Sequence, residues 1–362
     1  MADKTGIEWT DATWNPIRGC SRVSEGCRHC YAETVANRFS GPGLPYEGLT
    51  TLGKWNGQIK FVEEHLLDPL RWKTPRRIFV NSTSDLFHPN VTDEMLDQIF
   101  AVMALCPQHT FQILTKRPER MLAYFSSFND AHAEERGADF AAWCIGMLGA
   151  EANEKVCASR FWVGLPNVWL GVSVENQKAG DERIPLLLKT PAAVRFLSVE
   201  PMLGAIDVDG WFIERDLQCS SFVQNLCSER GYCLCGGHES DPCHHGPAGL
   251  IDWVICGGES GPGARPMHPD WARSLRDQCV AAGVPFFFKQ WGEWTPGENV
   301  DAHSGTVRTA HWFDQRWSFN SEDLACDEGH VDDEPELYRV GKKAAGDLLD
   351  GVQWHQFPEV AR

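Results

Sequence analysis

Three cysteines lie close together near the start of the chain, in the Gly-flanked loop Gly-Cys-Ser-Arg-Val-Ser-Glu-Gly-Cys-Arg-His-Cys of residues 19–30. Cys20, Cys27 and Cys30 are separated by six and by two residues. Three thiolates can hold three irons of a [4Fe-4S] cluster, because soft sulfur ligands suit iron–sulfur chemistry, and the fourth iron is then open to a small molecule. The loop therefore predicts an iron–sulfur centre with one free coordination site.

A structural zinc site is one alternative, and a set of three unrelated thiols is another. Zinc in structural sites takes four protein ligands, and the local candidate for the fourth is His29. Because His29 stands between Cys27 and Cys30, we expect its side chain to point away from a metal that both cysteines hold.

The cysteine loop resembles that of radical S-adenosylmethionine (SAM) enzymes, in which three cysteines hold the cluster and SAM binds the open iron. An aromatic residue commonly follows the last cysteine there, as Tyr31 does here. The spacing of the first two cysteines is longer than the usual three residues and matches variant families.

Both ends of the sequence resemble the phage Gp37/Gp68 family (DUF5131), a radical SAM-like family related to the spore photoproduct lyase-like branch. The resemblance lies in Thr-Gly-Ile-Glu-Trp-Thr-Asp-Ala-Thr-Trp-Asn-Pro at 5–16 and in the tail at 337–351. It implies a phage or prophage protein that cleaves SAM reductively to a 5′-deoxyadenosyl radical. It also implies an electron donor protein, with a nucleotide or a modified DNA base as substrate.

The bulk composition fits a large enzyme of a reducing compartment. The 362 residues carry a net charge of −17, which argues against broad, non-specific binding of duplex nucleic acid. The first residues show no basic and apolar leader, and no run of about 18 apolar residues could span a membrane. We therefore expect a cytoplasmic protein whose 14 cysteines are thiols or metal ligands.

Six short runs of β-branched and aromatic residues predict the strands that must position the cysteine loop. They are residues 77–82, 110–116, 168–174, 194–200, 253–259 and 284–290. The runs are apolar on both faces, as in buried parallel strands, and helical patterns lie between them, at residues 31–39, 92–103, 118–125 and 270–283. This alternation predicts an α/β fold, a partial or full (β/α) barrel of the radical SAM type; a doubly wound open sheet is the alternative.

Two insertions and an extension complete the predicted organisation. A barrel-like catalytic domain covers residues 1–292, with a helical insertion at about 126–163 and a Cys/His-rich insertion at about 211–249. The extension, residues 293–362, holds 15 acidic and 6 basic residues, and we expect it to pack on the barrel. Residues 40–58 and the acidic stretch 322–336 are predicted to be loops.

The second insertion is rich in metal-ligating side chains and predicts a second metal site, for zinc or for another iron–sulfur cluster. An unstructured loop with incidental thiols is the alternative. The candidate ligands are Cys219, Cys227, Cys233, Cys235, Cys243 and His238.

Polar residues follow every predicted strand, where a (β/α) barrel places its functional groups. The segment Asn-Ser-Thr-Ser-Asp-Leu-Phe-His at 81–88 resembles the Thr-Asp-Pro-Tyr segment of the lyase-like branch. The resemblance implies three sets of contacts to SAM. They are Thr83, Ser84 and Asp85 for the amino group, Ser173, Glu175 and Asn176 for the ribose, and Lys116 and Arg117 for the carboxylate or a substrate phosphate. Tyr31 and Glu200 complete the predicted cofactor-binding set.

Two other functions remain open from the sequence. Both Cys-rich segments could hold zinc in a nucleic-acid interaction protein without catalysis. Alternatively, the strand-end carboxylates Asp85, Glu175, Glu200 and Glu259 could serve a metal-dependent hydrolase.

Overall fold

The structure is a computed structural model that describes residues 5–128, 133–148, 165–212, 251–300, 306–323 and 336–359. Its central element is a seven-stranded parallel sheet that curls into a half-barrel. The strands are β1 (Ala12–Trp14), β6 (Arg77–Val80), β7 (Thr110–Thr115), β8 (Val168–Ser173), β9 (Val194–Val199), β10 (Trp253–Gly257) and β11 (Phe286–Gln290). All six predicted strands are confirmed.

The strands lie in the sheet in the same order as in the chain, β1-β6-β7-β8-β9-β10-β11. Each connection therefore advances in one direction, as in a (β/α) barrel. A doubly wound sheet would reverse its strand order at a switch point. The doubly wound alternative is therefore wrong, and the partial barrel is the observed form of the predicted α/β fold.

Helices connect the strands, and most of them match the predicted helical patterns. They are α1 (Tyr31–Arg38), α2 (Asp68–Arg71), α3 (Asp93–Ala104), α4 (Pro118–Ser126), α5 (Ala133–Leu148), α6 (Gln177–Leu188) and α7 (Pro269–Ala281). Thr92 begins α3 as a capping residue, because its hydroxyl oxygen accepts a hydrogen bond from the amide of Met95 at 3.3 Å. The sequence analysis did not predict α2 or α6.

The two faces of the curled sheet bury different side chains. On the outer face, aliphatic side chains such as Val172 and Leu197 pack in the main core with the helices. On the inner face, a separate aromatic cluster fills the half-barrel, formed by Trp9, Phe79, Trp169, Phe196, Trp253 and Phe287 with Val194 and Ile255. Because side chains on one face recur every second residue, Ser173 and Ser198 follow this cluster on the same inner face. The inner face is thus apolar along the strands and polar at their carboxyl ends.

Gly171 makes room for this cluster at the centre of β8. A Cβ at position 171 would lie 2.6 Å from the ring of Phe196, which is fully buried. We expect Gly171→Ala to lower the free energy of unfolding by about 1–3 kcal/mol, because the overpacked ring cannot move away. Urea unfolding measures the effect.

Two further variants make this prediction specific. Gly210→Ala is the control, since a Cβ there meets nothing within 4 Å and should leave stability unchanged. Adding the smaller Phe196→Leu to Gly171→Ala should recover part of the loss. Equal stability of Gly171→Ala and the natural protein would contradict the packing described.

The C-terminal segment packs on the edge strand β11 and against the first residues of β6 and β10. Residues 354–356 run along the edge strand β11, where the amide of Phe288 donates to the carbonyl of Trp354 at 2.7 Å. Phe357 then packs against Trp253 at a centroid distance of 5.3 Å, and the guanidinium of Arg77 on β6 lies 4.1 Å from its ring. The tail therefore links the last strand of the sheet to an early one.

A second sheet lies between β11 and the tail. It is antiparallel, has the order β12-β15-β13-β14, and consists of β12 (Trp294–Pro296), β13 (Thr306–Phe313), β14 (Arg316–Asp323) and β15 (Glu336–Arg339). Trp271 of α7 contacts Trp312 of this sheet at a centroid distance of 5.2 Å. The predicted loop at 322–336 is thus wrong at its two ends, which belong to β14 and β15, and its middle lies outside the described residues.

Short elements complete the fold. They are β2 (Ile17–Arg18), β3 (Thr50–Thr51), β4 (Lys54–Trp55), β5 (Lys60–Phe61), α8 (Lys342–Ala345), β16 (Leu348–Leu349) and β17 (Val352–Gln353). The segment at 40–58, predicted to be loop throughout, contains the hairpin β3–β4. Among the helices that the structure describes, none is long and apolar enough to cross a bilayer.

The two predicted insertions have different outcomes. The first contains the helix α5, which Arg136 fixes to α3 through two hydrogen bonds of 2.7 Å to the carboxylate of Asp97. Residues 129–132 and 149–164 of this insertion lie outside the described residues. The second insertion lies outside the described residues from 213 to 250. Its predicted ligands Cys219, Cys227, Cys233, Cys235, Cys243 and His238 therefore stay a prediction.

Candidate functional site

A cavity of about 580 Å³ opens at the carboxyl ends of the half-barrel strands. Cys20, Cys27 and Cys30 all line it, together with polar side chains that follow the strands. This edge of the sheet is where (β/α) barrels carry their functional groups. The cysteine loop and the predicted strand ends therefore meet in one place.

The backbone of the cysteine loop is fitted closely to its surroundings. Gly19 enters the loop at a φ of +92°, and a Cβ there would lie 2.2 Å from the carbonyl oxygen of Gln58. Only glycine can adopt this positive φ and also leave room for the carbonyl oxygen of Gln58. At the other end, Cys30 directly precedes α1, whose first residue Tyr31 donates a hydrogen bond from its hydroxyl to the carbonyl of Ser82. Both ends of the loop are thus fixed by neighbouring segments.

The three thiols suit an iron–sulfur centre by their chemistry and location. They are free cysteines, half-buried, and they face one cavity. Among the residues described, no three His, Cys, Asp or Glu side chains form a ready set of ligands for a single metal ion. His29, the candidate for a fourth zinc ligand, bonds through Nδ1 to Glu259 at 2.9 Å, and its Nε2 lies against Gly263. His29 is thus engaged with Glu259, and the sulfurs of Cys20, Cys27 and Cys30 are the candidate donors to a cluster at this cavity.

The first anchor of the loop comes from the ends of β6 and β7. Arg117 donates to the carboxylate of Asp85 at 2.7 Å, and its other nitrogen donates to the carbonyl and hydroxyl oxygens of Ser21 at 2.8 and 2.9 Å. Asp85 also accepts from the hydroxyl of Thr115 at 2.7 Å. Asp85 lines the cavity and already accepts these protein donors, and its predicted contact with the SAM amino group stays a prediction.

The second anchor comes from the fourth strand of the sheet. Glu175 follows β8 and forms a buried ion pair with Arg183 of α6 at 2.8 Å. Its carboxylate lies against Gly26 in the cysteine loop, where an added Cβ would be 3.1 Å away. Burial acts to raise the pKa of Glu175, but hydrogen bonds and the Arg183 guanidinium outweigh it and leave the pKa lowered.

The third anchor comes from the sixth strand. Glu259 follows β10 and receives two side-chain hydrogen bonds from Arg265, at 2.7 and 2.9 Å, besides its contact with His29. Arg265 also donates to the carbonyl of Glu25 at 3.1 Å. Burial opposes ionisation here as well, yet these donors keep the pKa of Glu259 below its ordinary value. The loop is therefore held at three points by charged residues that follow different strands.

These two lowered pKa values predict an acid-sensitive site. A carboxyl group whose pKa is lower in the folded than in the unfolded state stabilises the fold fully above its unfolded pKa, and the ordinary value for Glu is 4.5. That stabilisation is lost as the pH falls through the lowered values of Glu175 and Glu259. We expect the thermal midpoint to be flat from about pH 7 to 5 and to fall below about pH 4.5.

Glu259→Gln provides the comparison for this pH dependence. The variant cannot ionise at position 259, so its midpoint should fall less steeply with acid than that of the natural protein. Parallel curves for the two proteins would contradict the contribution of Glu259.

The other predicted cofactor residues fall into two groups. Lys116, Ser173 and Glu200 line the cavity with Tyr31, Thr83 and Ser84. Asn176 does not line it, because its side chain caps α6 by accepting from the amide of Ala179 at 3.0 Å and also donates to Glu25 at 3.0 Å. Glu175 likewise lies behind the loop and not in the cavity wall.

Thr83 and Ser84 already have hydrogen bonds within the protein. The hydroxyl of Thr83 contacts that of Tyr46 at 2.8 Å, and the hydroxyl of Ser84 donates to the carbonyl of Ile17 at 2.8 Å. They shape the wall after β6. Lys116 differs, since its ammonium group makes no ion pair with any residue in the described ranges.

The four strand-end carboxylates are all paired with cations. Asp85 pairs with Arg117, Glu175 with Arg183, Glu259 with Arg265, and Glu200 with Lys289 at 2.7 Å. Such carboxylates have their charge compensated already, so they are poor ligands for a divalent cation. The arrangement argues against a metal-dependent hydrolase built on these four groups.

Sequence reasoning missed the partners of these carboxylates. Arg183 lies eight residues after Glu175, on the helix α6 that was not predicted, and Arg265 lies six residues after Glu259. For Glu175, a sequence signal existed, since an arginine about two helical turns after a strand-end glutamate can fold back to pair with it. Lys289 and Gln290 end the predicted strand at 284–290, and no local pattern points from them to Glu200, about 90 residues earlier.

These features define the class of protein, an α/β chain with a cysteine-lined cavity at the carboxyl ends of a parallel half-barrel. A family model matches residues 4–358 under the description "Protein of unknown function (DUF5131)". The chain therefore belongs to the DUF5131 family, as the two ends of the sequence indicate. No curated protein and no solved structure matches it.

Proposed function

We propose that this protein is a radical SAM-type enzyme. The observation that carries the proposal is the position of Cys20, Cys27 and Cys30, which line one cavity at the carboxyl ends of the half-barrel strands. Three thiols without a fourth protein ligand suit a [4Fe-4S] cluster that leaves one iron for SAM. The resemblance of the loop to that of radical SAM enzymes points the same way.

The cysteines would hold the cluster, and other residues of the cavity would hold SAM. A reduced cluster bound there would supply the electron for reductive cleavage of SAM and the radical chemistry that follows from it. Lys116 lines the cavity without a close ion-pair partner in the described residues and would offer its ammonium group to an anionic group, either the SAM carboxylate or a substrate phosphate. Ser173 and Ser198 lie opposite each other in the register of β8 and β9 and offer hydroxyls to polar groups such as those of a ribose.

The aromatic cluster supports such chemistry by closing the floor of the cavity. Trp9 and Phe79 belong both to this cluster and to the cavity lining. A floor of packed rings excludes water from one side of a bound ligand, which protects reactive species from side reactions. The protein's contribution would therefore be to position two ligands above an apolar floor.

We propose a nucleotide or a modified DNA base as the substrate, following the resemblance to the lyase-like branch. The net charge of −17 disfavours extended contact with a duplex. A base in DNA would therefore have to enter the cavity singly, as flipped bases do in other enzymes. An electron donor protein is part of the same proposal.

Cleavage of SAM tests the function directly. Anaerobically prepared protein, reduced with dithionite and incubated with SAM, should form 5′-deoxyadenosine and methionine in equal amounts. Omitting the reductant is the control and should give neither product. Reduced protein that contains iron and sulfide but forms no 5′-deoxyadenosine would overturn the proposal.

A further inference from the structure

Arg117 is a buried cation next to one of the three thiols. Its side chain is about one-tenth exposed, and Nη1 lies 3.9 Å from the sulfur of Cys20. The same nitrogen donates to Asp85 at 2.7 Å, and Nη2 donates to the carbonyl and hydroxyl oxygens of Ser21. The guanidinium therefore holds both the sulfur and the following peptide of the loop.

The surroundings of Arg117 fix its orientation. The hydroxyl of Ser21 also hydrogen-bonds to Nε2 of His88 at 2.9 Å, and the carboxylate of Asp85 is held by Thr115 and by the amide of Lys116. These contacts leave the guanidinium little freedom to turn away from Cys20. Because arginine stays charged at all ordinary pH values, its N–H donor beside the sulfur is permanent, and its positive charge offsets the negative charge of Asp85, which also acts on Cys20.

We infer that Arg117 is a positioning residue that raises the reduction potential of the iron–sulfur centre held by Cys20, an inference that rests on the function proposed above. One-electron reduction adds negative charge to the cluster and its sulfurs. A fixed N–H donor at a ligand sulfur stabilises that charge and is known to affect cluster potential, and the Arg117 guanidinium also offsets the negative charge of Asp85, which acts on the same sulfur. Arg117 also keeps Cys20 in place, so its loss weakens the hold on iron.

The test compares Arg117→Gln and Arg117→Lys with the natural protein after anaerobic reconstitution with iron and sulfide. The midpoint potential is measured by spectroelectrochemical titration, and iron release is followed with a chelator. We expect a more negative potential in Arg117→Gln and iron release that is about 10–100-fold faster. Arg117→Lys keeps the positive charge but not the several N–H donors of the guanidinium. Its midpoint potential and iron-release rate should therefore lie between those of the natural protein and Arg117→Gln.

Arg136→Gln is the matched control. Arg136 is also a largely buried arginine with a hydrogen-bonded carboxylate partner, Asp97, but it belongs to α5 and does not line the cavity. The Arg136→Gln variant should have a lower free energy of unfolding, but its midpoint potential and its rate of iron release should equal those of the natural protein. This control separates a general loss of stability from a specific effect at the cluster.

The outcomes distinguish this inference from the proposed function. If the natural protein binds no iron–sulfur cluster, the proposed function fails and this inference fails with it. If the natural protein is loaded and Arg117→Gln has the same midpoint potential, only the inference is overturned. If Arg117→Gln does not fold, the test rests on Arg117→Lys. A midpoint potential and an iron-release rate in Arg117→Lys equal to those of the natural protein would overturn the inference.

Discussion

Replacing Cys20, Cys27 or Cys30 by alanine is expected to remove about four irons and four sulfides per chain and to abolish SAM cleavage. Each thiolate of a site-differentiated cluster holds one iron, so the loss of one ligand leaves two irons without protein support. The effect should therefore be nearly complete in each single variant. Iron and sulfide analysis, absorbance near about 400 nm and 5′-deoxyadenosine formation measure it.

Cys279→Ala is the matched control for these variants. Cys279 is fully buried on α7 and does not line the cavity. Its loss should leave iron, sulfide and SAM cleavage at natural levels. A Cys27→Ala protein with full iron content would show that the three thiols do not act as one ligand set.

Glu175→Ala is expected to cost about 3–5 kcal/mol of unfolding free energy, because it leaves the buried guanidinium of Arg183 without its carboxylate. Both side chains are almost completely buried, so little water can replace the lost partner. The variant also removes the carboxylate that lies against Gly26 in the cysteine loop. Urea unfolding measures the cost, and faster iron release from loaded protein would report the loosened loop.

The neighbouring ion pair Lys178–Glu182 provides the control. It lies on the same helix, α6, but both side chains are more than half exposed. Glu182→Ala should therefore change the unfolding free energy by less than about 1 kcal/mol. If Glu175→Ala and Glu182→Ala behaved alike, the buried pair would not be holding the loop against the barrel.

The strands of the half-barrel could be predicted because each is a continuous apolar run. Residues 253–257 and 286–290 are buried almost throughout, so their sequences carry the signal of a strand covered on both faces. The first strand, Ala12–Trp14, has only three residues, and its polar Thr13 hides it among loop residues. Helix α6 was missed because Gly180 and Pro185 interrupt an otherwise helical pattern.

The antiparallel sheet near the C-terminus could not be predicted with the same means. Its middle strand β13 pairs with β15, which follows it after the adjacent strand β14 and a stretch of acidic residues. Pairing of this kind depends on chain closure between distant segments and leaves no local pattern. The acidic composition of residues 322–336 favoured a solvated loop, and the buried Leu337 and Tyr338 of β15 follow directly after that stretch.

In the candidate site, too, some features can be predicted from local sequence patterns and others depend on contacts between distant segments. The residue types, three cysteines and a polar group after each strand, follow from local patterns. The pairings do not, because Arg117 and Cys20 are 97 residues apart and His29 and Glu259 are 230 apart. The fold therefore reveals that Asp85, Glu175 and Glu259, each paired with an arginine, help to hold the cysteine loop, a role that the sequence did not indicate.

The most direct test of the whole account is the metal content of protein purified without oxygen. We predict a brown protein with at least about four irons and four sulfides per chain, lost from a variant in which Cys20, Cys27 and Cys30 are all alanine. A colourless protein that holds zinc and no iron would contradict the account.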